Sequence, residues 1–103
     1  MVSLIDKHHK ELLDLCRRHH VKRLDVFGSA VTDELSRSSD IDFLVEFDSE
    51  INPRRFDNFF ELHRALEQLF GRPIDLVEPG GLYNPYLIRQ IEQTRRNVYA
   101  SST

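Results

Sequence analysis

Asp40-Ile41-Asp42-Phe43-Leu44-Val45-Glu46-Phe47 is the stretch from which the rest of the chain can be read. Successive residues of a strand point to opposite faces, so Ile41, Phe43, Val45 and Phe47 share one face while Asp40, Asp42, Leu44 and Glu46 share the other. The first face is apolar throughout and belongs to a core. The second opens with two carboxylates that project together within reach of one or two divalent cations. Like charges held this close repel unless a cation or a proton relieves them, which makes the pair a candidate metal site. Mg²⁺ suits it, because that ion takes a few carboxylates together with water and substrate phosphates.

Working backwards, the ten residues Ala30 to Ser39 separate this strand from Gly28-Ser29. They include the polar stretch Thr32 to Ser39, which reads as a surface connection. Gly28-Ser29 in turn closes a β-rich run, Val21 to Phe27, read as a buried strand entering a turn. From Leu4 to about His20 apolar residues recur at helical spacing, which predicts an amphipathic helix. Working forwards from Asn52-Pro53, Phe56, Phe59, Phe60, His63, Leu66, Leu69 and Phe70 repeat at threes and fours up to Gly71, predicting a helix with a glycine C-cap and the phenylalanines in the core. Pro73 to Val77 is a third short strand. Asn84-Pro85 supplies an N-cap and a first-turn proline for a last helix carrying Leu87, Ile88, Ile91 and Val98.

The expected fold is therefore α+β, a small mixed sheet of three strands or slightly more with helices packed on it. If Gly28 and Asp40 belong to one site, the two strands that bear them run antiparallel. At 103 residues, 40% hydrophobic and 30% charged, the chain has room for one core, and residues 1–103 are expected to form one domain. The single cysteine, Cys16, excludes an internal disulfide and reads as a small core hydrophobe. No signal pattern or membrane-length apolar run occurs, so a soluble cytoplasmic protein is expected. A formal charge of −3 disfavours direct nucleic-acid binding.

Asp75 is the third carboxylate of interest. It sits in the apolar strand Ile74-Asp75-Leu76-Val77, where a charge wants a reason, and a neighbouring strand could bring it to the Asp40/Asp42 pair. Gly28-Ser29 adds a phosphate-binding logic: glycine lets the backbone approach closely, and the serine hydroxyl and nearby N–H groups can donate. Other features read more plainly. Glu46 is a solvated rim group, Arg54-Arg55 and Arg95-Arg96 are solvated faces, and His8, His9, His19 and His20 form no i,i+4 ligand pair for zinc. No Gly-x-x-x-x-Gly-Lys-Ser/Thr loop occurs.

Phe27-Gly28-Ser29 followed by Ser39-Asp40-Ile41-Asp42-Phe43-Leu44-Val45 resembles the signature of DNA polymerase beta-type nucleotidyltransferases, and within them the minimal nucleotidyltransferases. The likeness extends from the opening helix to Asn84-Pro85-Tyr86-Leu87. It implies a polymerase beta-like fold and two-metal nucleotidyl transfer, in which Asp40, Asp42 and Asp75 hold Mg²⁺ on ATP and Asp75 helps activate the acceptor hydroxyl. Gly28 and Ser29 would grip the phosphates. Members similar to this chain commonly carry an arginine four residues after the glycine; here that place is Thr32, and Arg37 is the basic residue the same loop offers. The resemblance further implies an antitoxin paired with a HEPN-family toxin, on which it places AMP. Two functions stay open at this stage: that transferase, and a binding module that masks a HEPN ribonuclease and keeps only a nucleotide or metal site. Homo- or hetero-oligomers are both compatible with it.

Overall fold

The computed structural model describes residues 3–31, 40–48 and 55–101. In chain order the elements are α1 (Ser3–Lys7), α2 (His9–Arg18), β1 (Val21–Phe27), a 3₁₀ turn at Gly28–Ala30, β2 (Ile41–Phe47), α3 (Arg55–Phe70), β3 (Ile74–Val77), a 3₁₀ turn at Pro79–Gly81, α4 (Pro85–Thr94) and β4 (Arg96–Ala100). The sheet has four strands in the order β3-β2-β1-β4. β1 pairs antiparallel with both β2 and β4, and β2 pairs parallel with β3, so the sheet is mixed as expected.

Alternation along the strands divides the core in two. Leu24 and Val26 of β1, Ile41, Phe43 and Val45 of β2, and Ile74 and Leu76 of β3 meet Leu12, Leu15 and Cys16 of α2 and Leu62, Leu66 and Phe70 of α3 in the larger cluster. Phe27 and Leu44 point the other way and meet Ile91 of α4 in a smaller one, with Val77, Leu82 and Leu87 packed around it. That second face also carries Asp42 and Asp75, so the helix that covers it matters to the site.

The structure departs from the expected elements in three places. The opening helix breaks at His8, whose backbone leaves the helical region and whose ring meets Phe70 edge-on with centroids 5.3 Å apart. The buried stripe of α3 is Asn58, Leu62, Leu66 and Phe70, one fourfold row displaced from the phenylalanine row. Phe56 and Phe60 are consequently 76% and 61% exposed, with Phe59 half-buried beside Phe47. The polar member of the buried row, Asn58, donates its Nδ2–H to the His19 carbonyl at 2.5 Å, which satisfies it.

The last helix starts as expected: the Asn84 side chain accepts the Tyr86 N–H at 2.9 Å and Pro85 opens the first turn. It stops at Thr94, earlier than the apolar pattern suggests. Arg95 is extended (ψ 139°) and turns the chain back along β1, so Val98 lies in β4 against the larger cluster and not on a helix. Gly71 terminates α3 with φ +66°, its N–H bonded to the Glu67 carbonyl at 2.8 Å. Among the described residues no helix is long and apolar enough to cross a membrane.

Candidate active site

The parallel register of β2 and β3 pairs Asp42 with Asp75 directly. Paired residues on neighbouring strands face the same way, so the two carboxylates stand side by side on the sheet face that α4 partly covers. Asp40 precedes β2 by one residue and is exposed. Asp42 also pairs with Phe27 across the antiparallel β1–β2 ladder, which brings the end of β1 and its glycine turn against the carboxylates.

Gly28 is required there on two counts. Its φ of +74° lies in the left-handed region, and a Cβ added to it would fall 2.6 Å from Asp42 Oδ2. The carboxylate thus occupies the space that a side chain would fill. Gly28 also donates its N–H to Thr94 Oγ1 at 2.8 Å, so its share in the site is room and backbone direction, with that donor directed at α4. Ser29 follows, half-buried in the same 3₁₀ turn. Arg37 and Thr32 lie outside the described residues.

The electrostatics tie the aspartates together. Burial, then the charges of Asp75 and Asp40, push the Asp42 carboxyl up to about 6 from its usual 3.8. Among the described residues no three His, Cys, Asp or Glu side chains close into a ready ligand set. Asp42 and Asp75, with Asp40 beside them, could nevertheless hold a Mg²⁺ that takes its remaining oxygens from water and a triphosphate, as that ion prefers. Their mutual repulsion is what such a cation would relieve.

The folded state favours protonated Asp42, so the favourable contribution is complete below about pH 4 and is lost as pH rises through about 6. Metal-free Asp42→Asn is therefore expected to be more stable than wild type at pH 7, by about 1–2 kcal/mol after discounting for solvent screening. The two proteins should converge at pH 4. Urea unfolding at both pH values measures it, and Mg²⁺ should raise wild-type stability at pH 7 without moving the variant.

Residues 8–98 match the family described as the nucleotidyltransferase domain. This chain belongs to that family, as one of its minimal members. It is similar to the protein adenylyltransferase MntA of Thermococcus cleftensis, 38% identical over 80 residues that make up 78% of this chain and 75% of that one. Among solved structures it is similar to one provisionally described as a minimal nucleotidyltransferase, with a TM-score of 0.73, 33% identity, and 92% and 93% of the two chains covered. It also shares its fold with a chain of a toxin–antitoxin crystal structure containing AMP-PNP, at TM-score 0.69, 20% identity, and 91% and 74% coverage.

Three further residues of this nucleotidyltransferase surround the site without having been singled out in the sequence. Asp25 of β1 is fully buried, on the same face as Phe27. Its carboxylate accepts from Arg95 Nε at 2.7 Å, Asn97 Nδ2 at 2.9 Å and Arg23 Nε at 3.2 Å. Burial alone would push this carboxyl up, but the hydrogen bonds from Asn97, Arg95 and Arg23 outweigh it and hold it below its usual value. Arg95, expected on a solvated face, instead ties the end of α4 to β1. An aspartate within an apolar strand was the signal used for Asp75, and it applies equally to Asp25. Gln90 and Thr94 of α4 carried no such signal, because the phase of an amphipathic helix against a sheet is set by tertiary packing.

Proposed function

We propose that this nucleotidyltransferase transfers AMP from Mg²⁺-bound ATP to a protein hydroxyl, acting as the antitoxin of a HEPN-family toxin. The observation that carries this reading is the adjacency of Asp42 and Asp75 on one sheet face with Gly28 closed against Asp42. Relatives and neighbours support the choice of nucleotide and partner: the similar Thermococcus protein is named a protein adenylyltransferase, and the toxin–antitoxin assembly of the same fold contains an ATP analogue.

Asp40, Asp42 and Asp75 would hold the Mg²⁺, which neutralises triphosphate charge and steadies the attacking and leaving oxygens of an in-line displacement. The acceptor hydroxyl oxygen bonds to the α-phosphorus as the bond to pyrophosphate breaks. Asp75 sits on the sheet's outer strand and is exposed, so it can meet a hydroxyl brought by another protein and take its proton. Asp42, deeper, stays ionised at neutral pH for metal binding. Gly28 leaves room for the Asp42 carboxylate beside the turn, and Ser29 is the adjacent hydroxyl that would donate to the phosphates. Arg37, outside the described residues, would add a positive charge, and Thr32 stands at the place of the family's usual arginine.

The test is incubation of the protein with α-labelled ATP, Mg²⁺ and a HEPN-family protein encoded beside it. Label on the HEPN protein is expected, and Asp42→Asn should reduce it by more than about 100-fold, since loss of even an outer partner of a metal ligand costs up to about that much. Neutralisation of the toxin without label, and undiminished in Asp42→Asn, would instead establish a masking antitoxin.

A further inference from the structure

We infer that Thr94 is a positioning residue for the triphosphate site: its hydroxyl fixes the glycine turn from outside the sheet, so that α4 sets the geometry of nucleotide binding. The inference rests on the nucleotidyl-transfer reading above and concerns a residue that the metal-binding aspartates do not include.

Three observations carry it. A threonine hydroxyl has one hydrogen, and here it is given to the Gln90 carbonyl one turn back, at 2.7 Å. A lone pair is thereby left to accept the Gly28 N–H at 2.8 Å. Gly28 has no side chain with which to anchor itself, and Asp42 Oδ2 fills the space where one would stand, so its main-chain N–H is the group by which the turn can be held from α4. Thr94 is itself at a fixed point. The next residue, Arg95, bonds back to the Ile91 carbonyl through its N–H at 2.7 Å and to buried Asp25 through its guanidinium, which locks the last turn of α4 to β1.

The same turn of α4 also presents Gln90, whose Nε2 lies 3.6 Å from the Gly28 Cβ position that Asp42 Oδ2 approaches from the sheet. Helix and sheet therefore meet at the glycine. Removing the Thr94 acceptor frees Gly28 from the helix, and the turn then has to be ordered when the triphosphate binds. The cost appears in nucleotide affinity, because an interaction made equally before and during reaction changes KM more than kcat.

The experiment compares wild type, Thr94→Val and Thr94→Ser by the KM and kcat for Mg²⁺–ATP, by calorimetric affinity for Mg²⁺–AMP-PNP, and by hydrogen exchange of the Gly28 amide without nucleotide. Thr94→Val is expected to raise KM and the dissociation constant about tenfold, the weight of one hydrogen bond, to change kcat less than threefold, and to speed Gly28 exchange. Thr94→Ser, which keeps the hydroxyl, should restore all three. If Thr94→Val does not fold, Thr94→Ala is read in its place. Unchanged affinity and Gly28 exchange in a folded variant, against a wild type that binds nucleotide, would overturn the role of Thr94 alone. A wild type that binds no Mg²⁺–nucleotide would overturn the transfer reading and this inference with it.

Discussion

Gly28→Ala is expected to lower nucleotidyl transfer by more than about 100-fold while the protein stays folded. The added methyl would sit 2.6 Å from Asp42 Oδ2, well inside contact distance, so the carboxylate or the turn must move. A displacement of about 1 Å in a group that positions reactants costs on the order of 100-fold in rate. The backbone adds a separate cost, because an alanine at φ +74° loses about 1–2 kcal/mol. Gly71 provides the control: its φ is +66°, yet nothing lies within 4 Å of its Cβ position. Gly71→Ala should show only the backbone cost in urea unfolding and leave transfer unchanged. Steady-state transfer and unfolding midpoints of the two variants separate crowding of the carboxylate from strain of the chain.

Asp25→Ala is expected to give the largest loss of stability among single changes near the site, about 3–5 kcal/mol, as when one member of a buried ion pair is removed. For a domain whose whole stability is about 5–15 kcal/mol, that is a large part. Both guanidinium groups reach solvent, Arg23 with 46% and Arg95 with 36% of the side chain exposed, so they can be rehydrated and the loss falls in the lower half of that range. The pH dependence has a definite sign. Hydrogen-bonded Asp25 titrates below its ordinary 3.8, so its contribution is present above that value and is lost as pH falls through the lower folded value. Wild type should therefore lose stability between pH 4 and pH 2 more steeply than Asp25→Ala, which urea unfolding across that interval measures.

Much of this arrangement is legible in the sequence because it follows from local rules. The period of two in Ile41 to Phe47 assigns both core and carboxylate faces, and the structure keeps that assignment. Asn84-Pro85 and Gly71 mark helix ends by the backbone chemistry that each supplies, and both stand where expected. The antiparallel pairing of β1 and β2 followed from placing Gly28 beside the aspartates, and the register bears it out.

What was not legible depends on tertiary contact. The fourth strand lies after Arg95-Arg96, where a helical reading of Val98 fails because Arg95 leaves the helix for a buried carboxylate seventy residues earlier in the chain. The phase of α3 is set by which row meets α2 and the sheet, and Asn58 occupies a buried place that hydropathy alone would give to a phenylalanine. Phe56 and Phe60 are exposed for the same reason. Thr94 reaches Gly28 across sixty-six positions of sequence, a relation that no periodicity encodes.

The central claim is that the Asp42–Asp75 face, with Gly28 against it, moves a nucleoside monophosphate. The measurement that tests it most directly is parallel incubation of the protein and its acceptor with α-labelled and with γ-labelled ATP in the presence of Mg²⁺. Stable protein-bound label from the α-labelled nucleotide only, with pyrophosphate released, is the predicted result. Protein-bound label from the γ-labelled nucleotide, or from neither, would contradict it.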